Sequence, residues 1–448
     1  MLVRMINAGM RVARLNFSHG DHPSHARLIK TVRAAARKAG QTVAILQDLQ
    51  GPKIRVAELP AKGVILHKAE KIILTTSLVA YKTGGAIPVT YASLHRDVKV
   101  GHRILFDDGT IEVVVEKVRG HNITAKVKVP GVLTSHKGLN LPDSMVGEAS
   151  FTPKDREDLL FGVAQGVDWV ALSFVSCADD ILTARSVARS AAKAAGVPVP
   201  LFFAKVERRT ALDNFPEILA AADGILLGRG DLGVEVRPEE VPEIQKDIVE
   251  ACRQAGKPVV VATQMLNSMV TNPRGTRAEI SDVANAVFDH TDAVMLSAES
   301  ATGRYPAVTV AAMTAVIREA EKSRYDDIHH VSLRVPDVAE ALAQSVHVLA
   351  ASGLIAAIVV VAGQGVVAQQ INMFRPDVPV FMVCPNESAA RRAIVSSGIV
   401  PLIMADSPGT LISRLQTKIH HDKLVRRGSQ IAVVISNGAE TKLSIVHV

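Results

Sequence analysis

A chain of 448 residues is too long for one typical domain and suffices for two or three, each with its own core. The formal net charge of +7 is small for that length, and no basic block is interleaved with stacking aromatics, so a nucleic-acid partner is not expected. Hydrophobic residues make up 48% and aromatics only 4%, a balance that excludes long disordered stretches and suits buried parallel strands alternating with helices. Cys177, Cys252 and Cys384 are widely spaced and match neither a disulfide framework nor a metal-ligand pattern, which points to a reducing cytoplasm. The opening MLVRMINAGMRVARLNF lacks an apolar core with a small-residue cleavage site, and the apolar run at 354–362 is too short to span a bilayer, so no membrane association is expected.

The first strand is expected at 12–17, after a stretch that reads as part of a helix. Arg14, Asn16 and Ser18 recur on it at every second residue and face one way, with His19-Gly20 closing its end. A second strand at 43–46 leads to Asp48, just before Gln50-Gly51-Pro52-Lys53-Ile54-Arg55, where Gly and Pro break the backbone. From 53 to 150 the pattern changes to alternating runs, KIILTTSL, IEVVVEKV and ITAKVKV, with turn signals at Thr83-Gly84-Gly85, Asp107-Asp108-Gly109 and Arg119-Gly120. Five more short strands follow at 169–174, 201–204, 225–227, 259–262 and 293–296, most of them about one βα unit apart.

Seven such strands outside the β-rich insertion predict an α/β fold, a (β/α)8 TIM barrel built from 1–52 and 151–325 whose first strand is missing from this chain. The insertion, 53–150, is expected to be a small β-barrel domain sitting on the barrel mouth as a lid that excludes water. Apolar runs at 358–361, 380–383, 400–404, 431–435 and 443–446 alternate with helix-like segments and predict a C-terminal open α/β sheet domain over 326–448. His329-His330 and His420-His421 lie in polar surroundings without other ligand types and are read as solvated surface.

Chemistry collects where the barrel strands stop. Lys205 and Glu207 are two apart at a strand end, so ammonium and carboxylate project from the same side. Asp231, in Gly228-Arg229-Gly230-Asp231-Leu232-Gly233 after the next strand, offers a second carboxylate for an oxygen-ligated divalent metal. Thr263-Gln264 follow the VVVA strand, and Ser297 and Glu299, again two apart, end the last one. Six strand ends with convergent polar groups are hard to explain by stability alone and mark an active site.

The chain resembles the pyruvate kinase family through MRVARLNFSHGD at 10–21, DLQGPKIR at 48–55, AKVE at 204–207, GRGDLGVE at 228–235 and ATQMLNSMVTNPRGTRAEISDVANAV at 262–287. The similarity runs in order over nearly the whole chain, lid and C-terminal domain included. It implies transfer of the phosphoryl group of phosphoenolpyruvate to ADP, giving pyruvate and ATP in glycolysis, with Mg²⁺ (or Mn²⁺) as cofactor and a homotetramer as assembly. By the same resemblance Lys205 and Thr263 are catalytic. Arg14, Lys205, Gly230, Asp231, Thr263, Ser297 and Glu299 are carried over as substrate contacts, and Asn16, His19, Arg55 and Lys137 as nucleotide contacts. Glu207 and Asp231 would hold the divalent ion, and Asn16, Ser18, Asp48 and the carbonyl of Leu49 match a K⁺ site.

Some positions depart from the family pattern. Lys53 stands where members requiring K⁺ commonly carry Glu, so its ammonium is expected to replace the ion and leave activity with little dependence on added K⁺. The loop Ala362-Gly363-Gln364-Gly365-Val366-Val367 has no hydroxyl or basic side chain and suits a sugar phosphate poorly. Gly228, Asn267, Gly275 and Ser300 replace the residues usual at their positions without removing a reacting group. Two other readings compete with an active kinase: a catalytically impaired, N-terminally truncated paralogue acting as a subunit or interaction protein, and a metal-dependent lyase on a related barrel.

Overall fold

The computed structural model describes residues 1–52, 54–77, 79–144, 150–323, 338–362, 366–404, 411–436 and 441–448. Lys53, the His329-His330 pair and the centre of the 362–367 loop lie outside them.

Seven strands, Val12–Asn16, Ala44–Asp48, Trp169–Leu172, Leu201–Val206, Gly224–Gly228, Val259–Ala262 and Ala293–Met295, pair in chain order into one sheet. Every pairing is parallel, and among the described residues Val12–Asn16 and Ala293–Met295 form its two edges. The strands are apolar nearly throughout because both faces are buried. Alternate residues belong to different cores: Ile45, Val170, Phe202, Ile225 and Val259 pack outward against the helices. Leu46, Trp169, Ala171, Phe203, Leu226 and Val260 fill the inside. That alternation positions the site. Continuing the inward parity past the last apolar residue gives Asp48 after Leu46, Ser173 after Ala171, and Lys205 then Glu207 after Phe203.

The lid contains a six-stranded sheet in the order Leu139–Asn140, Arg103–Phe106, Ile111–Arg119, Asn122–Val129, Lys71–Thr75, Ile87–Pro88. Isolated bridges from Arg55 to Gly138 and from Val56 to Val89 link its two edges, so the chain entering the lid closes the sheet on itself. A second pair, Val64–Leu66 with Gly131–Leu133, completes the domain, which has its own apolar core. Asp107, Asp108 and Gly109 all take positive φ, +53°, +54° and +81°, and this tight turn aims Asp108 at the barrel.

The C-terminal sheet runs Ile399–Ile403, Val380–Cys384, Ile358–Ala362, Gln430–Ser436, Thr441–His447, with the last strand antiparallel to its neighbour. Helices Val338–Ala351 and Val366–Asn372 cover one face and Leu411–His421 the other. Ile394 and Val395 from this domain join the inner barrel core and plug the end opposite the lid. Two ion-pair clusters bolt that seam: Asp168 between Arg33 (2.9 Å) and Arg391 (2.8 Å), and Asp292 against Arg375 (2.9 Å). Among the described residues no helix is long and apolar enough to cross a membrane.

Candidate active site

A cavity of about 690 Å³ opens between the barrel strand ends and the lid, within the range of small-molecule sites. Arg14, Asn16, Ser18, Asp48, Leu49, Ser173, Lys205, Glu207 and Asp231 form its barrel wall, and Arg55, Asp108, His136 and Asn140 its lid wall.

At its floor Lys205 is the hub. Its Nζ lies 3.0 Å from Glu207 Oε1 and 3.2 Å from Asp48 Oδ1, and donates to Ser173 Oγ at 2.8 Å. Asp48 is also clamped by Arg14, whose Nε and Nη2 approach Oδ2 at 2.6 and 2.5 Å. Burial by itself would lower the Lys205 pKa, but the Asp48 and Glu207 carboxylates outweigh it and push the ammonium up to about 12. Asp48 mirrors it: burial would raise its pKa, yet Lys205 and Arg14 hold it below the ordinary carboxylate range. The group is a fixed cation on a buried carboxylate support.

Glu207 Oε2 accepts the backbone N–H of Phe174 at 3.1 Å, and Phe174 sits at φ +56° beneath the Arg208 guanidinium. Space for this pose comes from Gly228, where an added Cβ would lie 2.6 Å from Glu207 Oε1 and 2.7 Å from its Cγ. Asp231 occupies the first turn of the short helix Arg229–Glu235. Burial first and the Glu207 charge second raise its pKa, with Lys205 opposing. An Asp231 carboxyl whose ionisation the neighbouring Glu207 charge disfavours makes, together with Glu207, a donor set suited to a divalent cation. Among the described residues no group of three or more His, Cys, Asp or Glu converges as a metal cluster. Mg²⁺ fits such a pair, because it keeps waters and substrate oxygens for its remaining positions.

The other sequence-predicted residues distribute unevenly. Asn16, Ser18, Asp48 and Leu49 share one wall of the cavity, where Asn16 Oδ1 accepts Ser18 N–H at 2.9 Å and the Leu49 carbonyl accepts the Ser173 hydroxyl at 2.6 Å. Gly230, Thr263, Ser297 and Glu299 lie outside the cavity lining. Thr263 is nevertheless tied to its edge, since its Oγ1 accepts the Gly230 N–H at 2.7 Å. Glu299, 3% exposed, braces backbone by accepting N–H of Ser297 at 2.8 Å and Leu266 at 3.3 Å. His19 is exposed, and Lys137 pairs with Asp107 at 2.7 Å, both away from the lining.

Residues not singled out from sequence also face the cavity. Ser173 was legible, since it is the next inward position after Ala171. Glu235 and Arg208 had no such signal, because their partners come from other elements, Asn140 and Leu141 of the lid for Glu235, Phe174 and Ser176 for Arg208. Burial raises the Glu235 pKa, while Arg208 and hydrogen bonds from Asn140 and the Leu141 and Arg209 N–H groups counter it.

Two family models match this chain: "Pyruvate kinase, barrel domain" over residues 1–310 and "Pyruvate kinase, alpha/beta domain" over 340–447. A pyruvate kinase of Geobacillus stearothermophilus is 44% identical over 405 residues, covering 89% of this chain and 68% of the relative. One of Agrobacterium vitis is 40% identical over 434 residues, 95% of this chain and 90% of the relative. A solved pyruvate kinase structure from Cryptosporidium parvum superposes with a TM-score of 0.93 at 32% identity, covering 100% of this chain and 92% of that one.

Proposed function

The chain belongs to the pyruvate kinase family of phosphotransferases, and on that premise we propose that the barrel mouth moves the phosphoryl group of phosphoenolpyruvate to ADP, giving pyruvate and ATP. The observation that carries this assignment is Lys205, a buried ammonium gripped by Asp48, Glu207 and Ser173 beside the Arg14 guanidinium. In-line transfer asks the protein mainly for position and positive charge around the moving group. Held between the Asp48 and Glu207 carboxylates, Lys205 is stabilised as the ammonium and supplies a fixed positive charge. Arg14 supplies a second, planar cation whose orientation Asp48 fixes.

Glu207 and Asp231 are assigned to a divalent ion, Mg²⁺ or Mn²⁺. When bound, it supplies a Lewis acid at the substrate oxygens. Gly230, the Asp231 backbone N–H and Thr263 are assigned to the carboxylate end of phosphoenolpyruvate, with the Thr263 hydroxyl near the carbon that gains a proton. Ser297 and Glu299 set the loop beside it. Arg55 enters from the lid and, with Asn16, His19 and Lys137, faces the nucleotide phosphates. The lid over 53–150 keeps water from the transferring group, above a barrel of 1–52 and 151–325 and next to a C-terminal domain of 326–448. Little dependence on added K⁺, a homotetrameric assembly, a glycolytic role and a cytoplasmic location belong to the same reading.

The test is pyruvate release coupled to a dehydrogenase. Wild type should require phosphoenolpyruvate, ADP and a divalent ion, and Lys205→Met should lose turnover by on the order of 10³-fold, as removal of a preorganised charge does. Pyruvate formation without ADP would overturn the assignment in favour of a lyase.

A further inference from the structure

We propose that Arg229 and Asp282 are positioning residues that hold Thr263 in its working conformation. The inference rests on the role given to Thr263 above. Thr263 has φ +70° and Gln264 φ +56°, two consecutive non-glycine residues in the left-handed region directly after the strand Val259–Ala262. A β-branched residue in that region is an outlier that persists only when its surroundings enforce it.

The enforcement is visible at both polar ends of the residue. Thr263 Oγ1 accepts the Gly230 N–H at 2.7 Å and donates to the Ala262 carbonyl at 2.6 Å, which fixes the rotamer. Its carbonyl accepts Arg229 Nη2 at 2.9 Å. The two anchors are adjacent residues at the start of the helix that carries Asp231, so Thr263 is locked to the same segment as that carboxylate.

Arg229 is itself immobilised. Its fork meets Asp282 at 2.7 Å through both Nη1 and Nη2, and Nη1 also donates to Gln245 Oε1 at 3.2 Å. The side chain is only 10% exposed and does not line the cavity. With its donors facing Asp282, Gln245, the Met265 sulfur and the Thr263 carbonyl, the guanidinium reaches the reaction through Thr263. A planar bidentate fork holds both the carboxylate and the carbonyl at defined angles, whereas a lysine would offer a point charge. Released from this clamp, the Thr263 backbone relaxes toward negative φ and carries the hydroxyl away from its place.

The experiment is a double-mutant cycle with steady-state kinetics. Asp282→Asn should lower kcat by roughly 10- to 100-fold, the penalty of a displacement near 1 Å, while the KM for phosphoenolpyruvate, the half-saturating Mg²⁺ and the melting temperature change little. Arg229→Lys, which keeps the charge and loses the fork, should share the kcat loss. In a Thr263→Ala background, already slow, Asp282→Asn should cost nothing further, because the clamp has no hydroxyl left to place. An unchanged kcat in Asp282→Asn overturns the proposal, and so does an equal loss in both backgrounds, which marks a general structural role. An unchanged kcat in Thr263→Ala alone overturns the reading of Thr263 itself, a failure distinguishable from the other two.

Discussion

The two ends of the barrel are built from the same residue types with opposite accounting of charge. At the end opposite the lid, Asp168 and Asp292 are 1% and 2% exposed and fully engaged: Asp168 by Arg33, Arg391 and the Ile45 N–H, Asp292 by Arg375 and the N–H groups of Val259 and Ser397. At the lid end the cavity is lined by five cations, Arg14, Arg55, Lys205, Arg208 and Arg209, and by seven carboxylates, Asp48, Asp108, Asp143, Glu207, Asp213, Asp231 and Glu235. The seam closes its charges within the protein, and the mouth leaves a negative excess for a cation to complete. An ion-pair cluster therefore signals catalysis only when its own members cannot satisfy it.

The strongest way to break this comparison is to unbalance the seam. Arg375→Met leaves Asp292 buried with only weaker partners, and removing one member of a buried pair typically costs about 3–5 kcal/mol. The first unfolding transition in urea should move to clearly lower concentration while kcat and KM of the folded enzyme stay near wild type. A large kcat loss at full stability would show that the two ends are not separable.

A second, smaller effect distinguishes the seam by pH. His290 lies there with φ +68°, and burial, then Arg375 and Arg253, lower its pKa to about 4 against the pull of Asp289 and Glu250. Unfolded, it titrates near 6.5. Its contribution to stability is therefore complete above pH ~6.5 and is lost as pH falls toward 4, where the unfolded chain holds a proton that the native state refuses. Stability rises with pH in that window, with a slope below the roughly 1.4 kcal/mol per pH unit of a full proton difference, because the half-buried ring is screened by solvent. His290→Asn, which tolerates the same backbone, should flatten the dependence of the urea midpoint between pH 6.5 and 4. Parallel curves for variant and wild type would refute the assignment.

How much of this was legible in sequence follows the same division. Mouth residues on strands were readable because side-chain parity is fixed by the strand itself: Asp48, Lys205 and Glu207 extend an inward series that begins with apolar residues. The lid and its turns were readable from alternation and from Asp107-Asp108-Gly109. The seam was not, because pairs such as Arg391 with Asp168 join positions 223 residues apart and leave no periodic trace. Thr263 was found as a strand-end hydroxyl, but its left-handed backbone was invisible, since nothing in ATQM requires positive φ.

The smallest expected effect sharpens the comparison most, because it sets one hydroxyl at each end against the other. Ser173 at the mouth accepts Lys205 Nζ at 2.8 Å and donates to the Leu49 carbonyl at 2.6 Å. Thr291 at the seam donates to the carbonyls of Val259 and Ala293, at 3.0 and 3.2 Å. Each deletion removes hydrogen bonding of about 1 kcal/mol net. Ser173→Ala leaves Lys205 its two carboxylates but removes the neutral contact that sets its height in the cavity. A drop of up to about tenfold in kcat/KM for phosphoenolpyruvate should follow, with little change in the urea midpoint. Thr291→Val, of similar shape, should do the reverse, lowering the midpoint and sparing the kinetics. If both variants lose stability alike and neither loses rate, the Ser173 hydroxyl is a structural group like Thr291, and Lys205 is placed by Asp48 and Glu207 alone.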